Sequence, residues 1–186
     1  MPRIADIEDT PNPNAKKFIL REPLTWGISR SYDHAPEAKD DPLASALFDI
    51  ENVTNVFYVD HWITITQDGG ADWRELSRLV AEPIRAAPAA DEQSARLTAS
   101  TAPAMTDMPP EERERLERIT ELLDAQIRPY LQGDGGDLHV IGLEGDRLLV
   151  HYQGACGSCP SSISGTLAGI QGLVRQIEPD IEVIAV

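Results

Sequence analysis

Two cysteines are all that the 186 residues contain, Cys156 and Cys159, which excludes a disulfide framework. A bond between those two would close a very small loop and constrain the unfolded chain little. In a chain so poor in cysteine, a Cys-x-x-Cys pair points to metal binding or dithiol chemistry. No apolar run approaches the roughly 20 residues that span a bilayer, which excludes a membrane-crossing helix. Positive charge is scarce as well: 16 Lys+Arg stand against 31 Asp+Glu, a net charge of −15. The deficit is even, with 10 basic and 18 acidic residues through Pro110 (−8) and 6 and 13 after it (−7). Nucleic acids and anionic membranes are bound through basic patches. The longest basic cluster is Lys16-Lys17, which reads as the flank of a strand, so neither partner is expected. The first ten residues carry Asp6, Glu8 and Asp9 and no apolar stretch, unlike a secretory signal or an acid-poor transit peptide. The chain therefore reads as cytoplasmic.

What is present, 41% apolar and 25% charged residues, suits a soluble globular chain. Its length admits two small domains. Residues 86–110 mark the division: eight of these 25 are Ala, four are Pro, and none is Ile, Val or aromatic. Such a segment buries too little apolar surface to offset the ordering of its backbone, so a flexible Ala/Pro-rich linker is expected. An Ala-rich helical piece from Asp91 to Ala99 is the alternative. Domains at 1–85 and 111–186 follow, both small enough for marginal cores.

The fold class expected is α+β, in two small α/β-layer domains. In the first, turn residues Pro11-Asn12-Pro13-Asn14 precede a strand from Lys16 to Arg21, and a second strand runs from Trp26 to Tyr32. Pro42 opens a short helix capped by Asp41, with Leu43, Leu47 and Ile50 on one face. Val53 to Val59 and Trp62 to Thr66 read as strands joined at Asp60-His61. Asp72 caps a helix bearing Trp73, Leu76, Leu79, Val80 and Ile84 at helical spacing. The order is ββαββα. In the second domain, Pro109-Pro110-Glu111-Glu112 starts a helix in which Leu116, Ile119, Leu123 and Ile127 recur until Pro129. A hairpin follows, Leu138 to Glu144 and Arg147 to Gln153 around Gly145-Asp146. Ile163, Leu167, Ile170, Val174 and Ile177 define an amphipathic helix, and Ile181 to Val186 a last strand. The order is αββαβ.

The chemistry concentrates in Gly154-Ala155-Cys156-Gly157-Ser158-Cys159-Pro160-Ser161-Ser162. Glycines at 154 and 157 permit positive φ and close approach of the backbone. A helix beginning near Pro160 sets its positive end beside both sulfurs, an environment that favours thiolates. Zinc, an iron–sulfur cluster and dithiol redox chemistry all use such a pair. Structural zinc and cubane clusters want four protein ligands, and the chain offers two cysteines. His139 and His151 could complete a mixed set, although solvent-facing histidines are the plainer reading of both. If they are bystanders, two subunits must meet across their Cys-x-x-Cys loops, and a cluster held so would be labile, as suits a carrier. A strand, the motif and a helix also describe a thioredoxin-like centre. Against that stand the domain's size, its opening helix and the lack of a preceding βαβ unit. Asp134 and Asp137 flank a Gly-Gly turn and read as turn chemistry. Asp60 and His61 read as a turn and Trp62 as core. No Ser-His-Asp or paired-carboxylate arrangement stands out, so the protein is not expected to be an enzyme.

The run Arg128-Pro129-Tyr130-Leu131-Gln132-Gly133-Asp134-Gly135-Gly136-Asp137, followed by Gly154 to Ser162, closely resembles the NifU-like C-terminal domain of the Nfu iron–sulfur proteins. The first domain resembles the Nfu N-terminal domain through Thr10-Pro11-Asn12-Pro13-Asn14, Pro42-Leu43-Ala44, Val56-Phe57, Trp62-Ile63-Thr64-Ile65-Thr66 and Asp72-Trp73. The resemblance implies an iron–sulfur carrier. It would bind a 4Fe–4S cluster (2Fe–2S being the alternative) between two protomers, take it from an upstream donor and pass it to apo-proteins. By position in the motif, Cys156 and Cys159 carry over as the ligands. The segment Thr166-Leu167-Ala168 departs from the family's usual Thr-Leu-Lys and so removes a positive charge near the motif. The first domain carries no such chemistry and reads as a recognition module.

Overall fold

Pro11 to Asn14 turn the chain back on itself, with the Asn12 Oδ1 accepting from the Asn14 N–H at 3.0 Å, and β1 (Ile4–Asp9) pairs antiparallel with β2 (Ala15–Leu20). The computed structural model describes residues 1–90, 109–157 and 160–186, leaving aside the side chains of 160–164. It divides the chain into two units, Met1–Ser100 and Thr101–Val186, each a mixed layer of helices and one sheet.

The first unit continues with β3 (Arg30–Tyr32), a 3-10 turn (Ala35–Ala38), α1 (Pro42–Phe48), β4 (Val53–Val59), β5 (Trp62–Gln67) and α2 (Trp73–Ala86). Its five strands lie in the order β1-β2-β5-β4-β3, every pair antiparallel. Phe18, Val56, Ile63 and Ile65 meet Leu47 of α1 and Leu76, Val80 and Ile84 of α2 in the core. Four details differ from the sequence expectation. β1 is an additional strand: it lies at the sheet edge, almost wholly exposed, so its polar residues show no buried face to detect. β3 is only three residues long. The segment before it is tied instead to the β4–β5 turn, through Leu24 N–H to Asp60 O at 2.7 Å and Gly27 N–H to Asp60 Oδ1 at 2.5 Å. Leu79 falls at helical spacing yet is 50% exposed, outside the core. Finally, residues 86–90 pack on the first unit rather than opening the linker. Ala86 closes α2, Ala87 is buried, and the Ala90 N–H donates to Pro23 O at 2.8 Å. Of the remainder of the expected linker, 91–108, with the helical alternative at Asp91 to Ala99, lies outside the described residues, while Pro110 already opens the next helix.

The second unit runs α3 (Pro110–Gln126), α4 (Arg128–Gly133), β6 (Gly136–Glu144), β7 (Arg147–Gly154), α5 (Pro160–Val174) and β8 (Glu182–Ala185). β6 and β7 form the expected antiparallel hairpin, and β8 pairs parallel with β7, with α5 as the crossover. Gln171 of α5 fixes that strand, donating to Ile181 O at 2.7 Å and accepting from the Val183 N–H at 2.8 Å. Leu116, Ile119 and Leu123 of α3 and Ile170 and Val174 of α5 close over Leu138, Leu148 and Val150. Pro129 does not end the helical run. α3 stops at Gln126, and Pro129 lies in the first turn of α4, where its missing N–H costs nothing. α5 ends at Val174, so Ile177 lies beyond the helix and is largely exposed.

One carboxylate ties the first unit's helix layer to its sheet. Asp41 caps α1, its Oδ1 accepting from the Ala44 N–H at 2.9 Å. Its Oδ2 accepts from Tyr32 Oη at 2.8 Å, from Tyr58 Oη and from Arg30 at 3.3 Å. Burial alone would raise the Asp41 pKa. The Ala44 N–H, the two hydroxyls and Arg30 outweigh it and hold the carboxyl below the ordinary carboxylate value. Because the folded value is the lower one, the stabilisation is complete above the unfolded value near pH 4 and is lost as pH falls through the folded one. Asp41→Asn should cost about 2–4 kcal/mol at neutral pH, and its gap from the wild type should narrow below about pH 4. Urea unfolding across that range reads both; a gap that stays constant would contradict the assignment.

Candidate metal centre

β7 delivers the chain to Gly154, whose φ of +66° turns it off the ladder, a conformation open to glycine at little cost. The Ala155 N–H then donates to Gly135 O at 3.1 Å, and the Gly157 N–H to Gly154 O at 3.1 Å. Cys156, 5% exposed, is thereby folded back into the core of the second unit. Gly157 does not use the positive φ that a glycine permits. Its requirement is space: a Cβ there would lie 2.8 Å from the Tyr152 carbonyl oxygen. Cys159 and Ser158 lie outside the described residues. α5 begins at Pro160, immediately after them, so the positive end of a 15-residue helix follows the motif in the chain, as expected.

The wall against the sulfur is Gly136, a residue that sequence reasoning passed over. It pairs with Gly154 across the β6–β7 ladder. A Cβ at Gly136 would come within 2.7 Å of Cys156 Sγ and 2.7 Å of Gln153 O. The Gly-Asp-Gly-Gly-Asp turn therefore packs directly on the cysteine. Asp137 anchors it. The buried carboxylate accepts from Arg128 Nη1 at 2.7 Å and from the Leu138 N–H at 2.7 Å, while Arg128 also reaches Asp124 at 2.9 Å. Burial disfavours the Arg128 charge, but Asp137 and Asp124 outweigh it and keep the guanidinium more firmly protonated than usual. Asp137 thus pins α4 to the start of β6, the turn and strand-start role read from the sequence, and Asp134 is exposed.

The histidines are placed elsewhere. His139 and His151 face each other across β6 and β7, and the His151 ring nitrogen Nδ1 lies 2.8 Å from Val186 O. Tyr152 and Val150 point to the core, so His151, one step out of phase, belongs to the other face of the sheet. Among the described residues no three His, Cys, Asp or Glu side chains converge as a metal site. In the first unit, His61 lies edge-on to Trp26 and Trp62 packs on Phe57 at 5.1 Å between ring centres; Asp60 and His61 form the expected turn, with Asp60 at φ +46°.

Tyr152 is the second residue missed. Its side chain is 5% exposed and lies in the same buried cluster as Cys156. Burial first, and then the charge of Cys156, push its pKa up to about 12. The alternation of β7 could have placed it in the core, two residues from Val150; nothing in the pattern marks the fold-back of Cys156 onto it.

The Gly136 contact is open to a direct test. Gly136→Ala should destabilise the second unit by about 1–3 kcal/mol through overpacking. Gly133→Ala, where a Cβ meets nothing within 4 Å, should stay within about 0.5 kcal/mol. Urea unfolding of the full chain measures both; equal stabilities would refute the close contact.

Residues 4–90 match the family described as scaffold protein Nfu/NifU N terminal, and residues 119–184 match the NifU-like domain. The human protein named NFU1 iron-sulfur cluster scaffold homolog, mitochondrial, is 36% identical over 183 residues, covering 94% of this chain and 68% of its own length. The Drosophila simulans protein of the same name is 34% identical over 184 residues, covering 94% of this chain. This chain spans 62% of that relative's length. A solution structure of a NifU-like protein from Saccharomyces cerevisiae aligns with 42% of the chain and 72% of its own, at 24% identity and a TM-score of 0.39. With both domain signatures matched in order and the human relative covered over most of its length, the chain belongs to the Nfu/NifU family of scaffold proteins.

Proposed function

We propose that this protein is an iron–sulfur cluster scaffold and carrier. It holds a 4Fe–4S cluster between the Cys156 and Cys159 pairs of two protomers and hands it to apo-proteins. The observation that carries the reading is the shortage of ligands within one chain. There are two cysteines in the whole sequence, and among the described residues no three His, Cys, Asp or Glu side chains converge as a metal site. The names of the relatives support the cargo class. The two sulfurs per chain and the resemblance of the motif support the shared, four-ligand arrangement.

The cluster is cargo, and the residues around it do ordinary work. The Gly136 wall fixes one side of Cys156. The unpaired amides and dipole at the start of α5 favour negative charge next to the motif and so favour the thiolates that ligate iron. Release is thiolate exchange. A cysteine thiolate of the acceptor replaces Cys156 or Cys159 at iron, and the displaced sulfur takes up a proton, with no change in oxidation state. With two ligands from each chain, breaking the subunit seam removes half the coordination at once. The protein acts as a carrier rather than a catalyst, and the first unit, which holds no cysteine, serves as the part that recognises donors or clients.

Anaerobic reconstitution with iron and sulfide tests this. The expected result is a brown protein with about two irons and two sulfides per chain. Cys156→Ala and Cys159→Ala should each abolish the colour. Tight colourless zinc binding, or turnover of a disulfide substrate without metal, would contradict the reading, as would a full cluster in either single variant.

A further inference from the structure

Among the described residues, the Tyr152 hydroxyl is buried and has no hydrogen-bond partner. Leaving such a hydroxyl unsatisfied costs about 1–3 kcal/mol, and a phenylalanine would fill the same volume without that cost. A buried group of this kind calls for a partner outside the apo chain. Its surroundings name the partner. β7 places Leu148, Val150 and Tyr152 on the core face. The chain then turns at Gly154 and brings Cys156 back into the cluster that holds Tyr152. Gly157 lies so close over Tyr152 that a Cβ would meet its carbonyl oxygen. Cys156 and the Tyr152 side chain thus belong to one buried cluster.

We propose that Tyr152 is a positioning residue for the metal-bound Cys156, its hydroxyl donating a hydrogen bond to the cysteine sulfur when the cluster is in place. A neutral thiol is a weak acceptor, whereas a sulfur bound to iron carries charge and accepts well. The bond therefore forms on loading and is lost on release, which ties retention of the cluster to a side chain that never touches iron. Hydrogen bonds to ligating sulfurs fix ligand orientation and raise the reduction potential of a cluster. A phenol keeps its proton at neutral pH, so the donor is available whenever the site fills.

This inference rests on the cluster-carrier reading, and one experiment separates the two. Full-length Tyr152→Phe is compared with wild type as apo-protein and after anaerobic reconstitution. The apo variant should melt at or above the wild-type temperature, because it loses an unsatisfied hydroxyl. The loaded variant should surrender its cluster to a chelator about ten times faster, the worth of one charge-assisted hydrogen bond. Its iron–sulfur stretching bands in resonance Raman should lose part of the wild-type shift in D2O. A wild type that loads no cluster would refute the carrier reading and this inference with it. A wild type that loads, beside a variant with the same D2O shift and chelator half-life, would refute this inference alone. An apo variant that melts well below wild type, or does not fold, would also overturn it, since the hydroxyl would then have a partner before metal arrives.

Discussion

Four ligands to a cubane and two sulfurs to a polypeptide is the constraint from which the rest of the arrangement follows. On the proposed reading it removes the single chain as a complete binding unit, and the placement of the histidines fits that reading. His139 and His151 pair with each other across the sheet, and the His151 ring nitrogen lies against the Val186 carbonyl, while Cys156 faces the core. A half-site that must find its other half is a poor store for metal and a good vehicle for it. On the proposed reading, the affinity that one chain lacks would be supplied by a second copy and withdrawn when an acceptor takes that copy's place.

Around this constraint the second unit is built to hold one sulfur in a fixed position. The chain of support runs from α4 to the cysteine: Arg128 and the Leu138 N–H grip the buried Asp137, Asp137 fixes the start of β6, and Gly136 presents a bare backbone to Cys156. An acid between an arginine and a strand end is a structural device here, although in a metal-binding domain it invites reading as a ligand. The strongly acidic character of the chain is uneven in its local effect. Next to the motif, the positive end of α5 and the backbone amides favour an anionic core without any lysine. The missing base at Ala168 is thus compatible with holding a cluster.

Much of this was legible in the sequence, for reasons that are local. Asp41-Pro42 and Asp72 announced helix starts through capping, and the alternation and turn at Gly145-Asp146 announced the hairpin. What escaped detection depends on contacts distant in the chain or on the absence of a buried face. β1 is exposed along its length and so has no apolar period. Leu79 keeps helical spacing on α2 but faces outward, because periodicity does not say where the core stops. Pro129 has the look of a stop, and a proline serves equally well in a first turn. Gly136 and Cys156 are twenty residues apart, and only the pairing of β6 with β7 brings them together. The tyrosines that converge on Asp41 come from β3 and β4, a meeting no local pattern encodes.

The central claim concerns how many chains hold one cluster. Native mass spectrometry of anaerobically reconstituted protein measures that directly, because it weighs the intact assembly with its inorganic content. The account predicts an assembly of two chains carrying the mass of one four-iron, four-sulfide core, beside apo-protein that runs as single chains. A single chain carrying the whole core would contradict it.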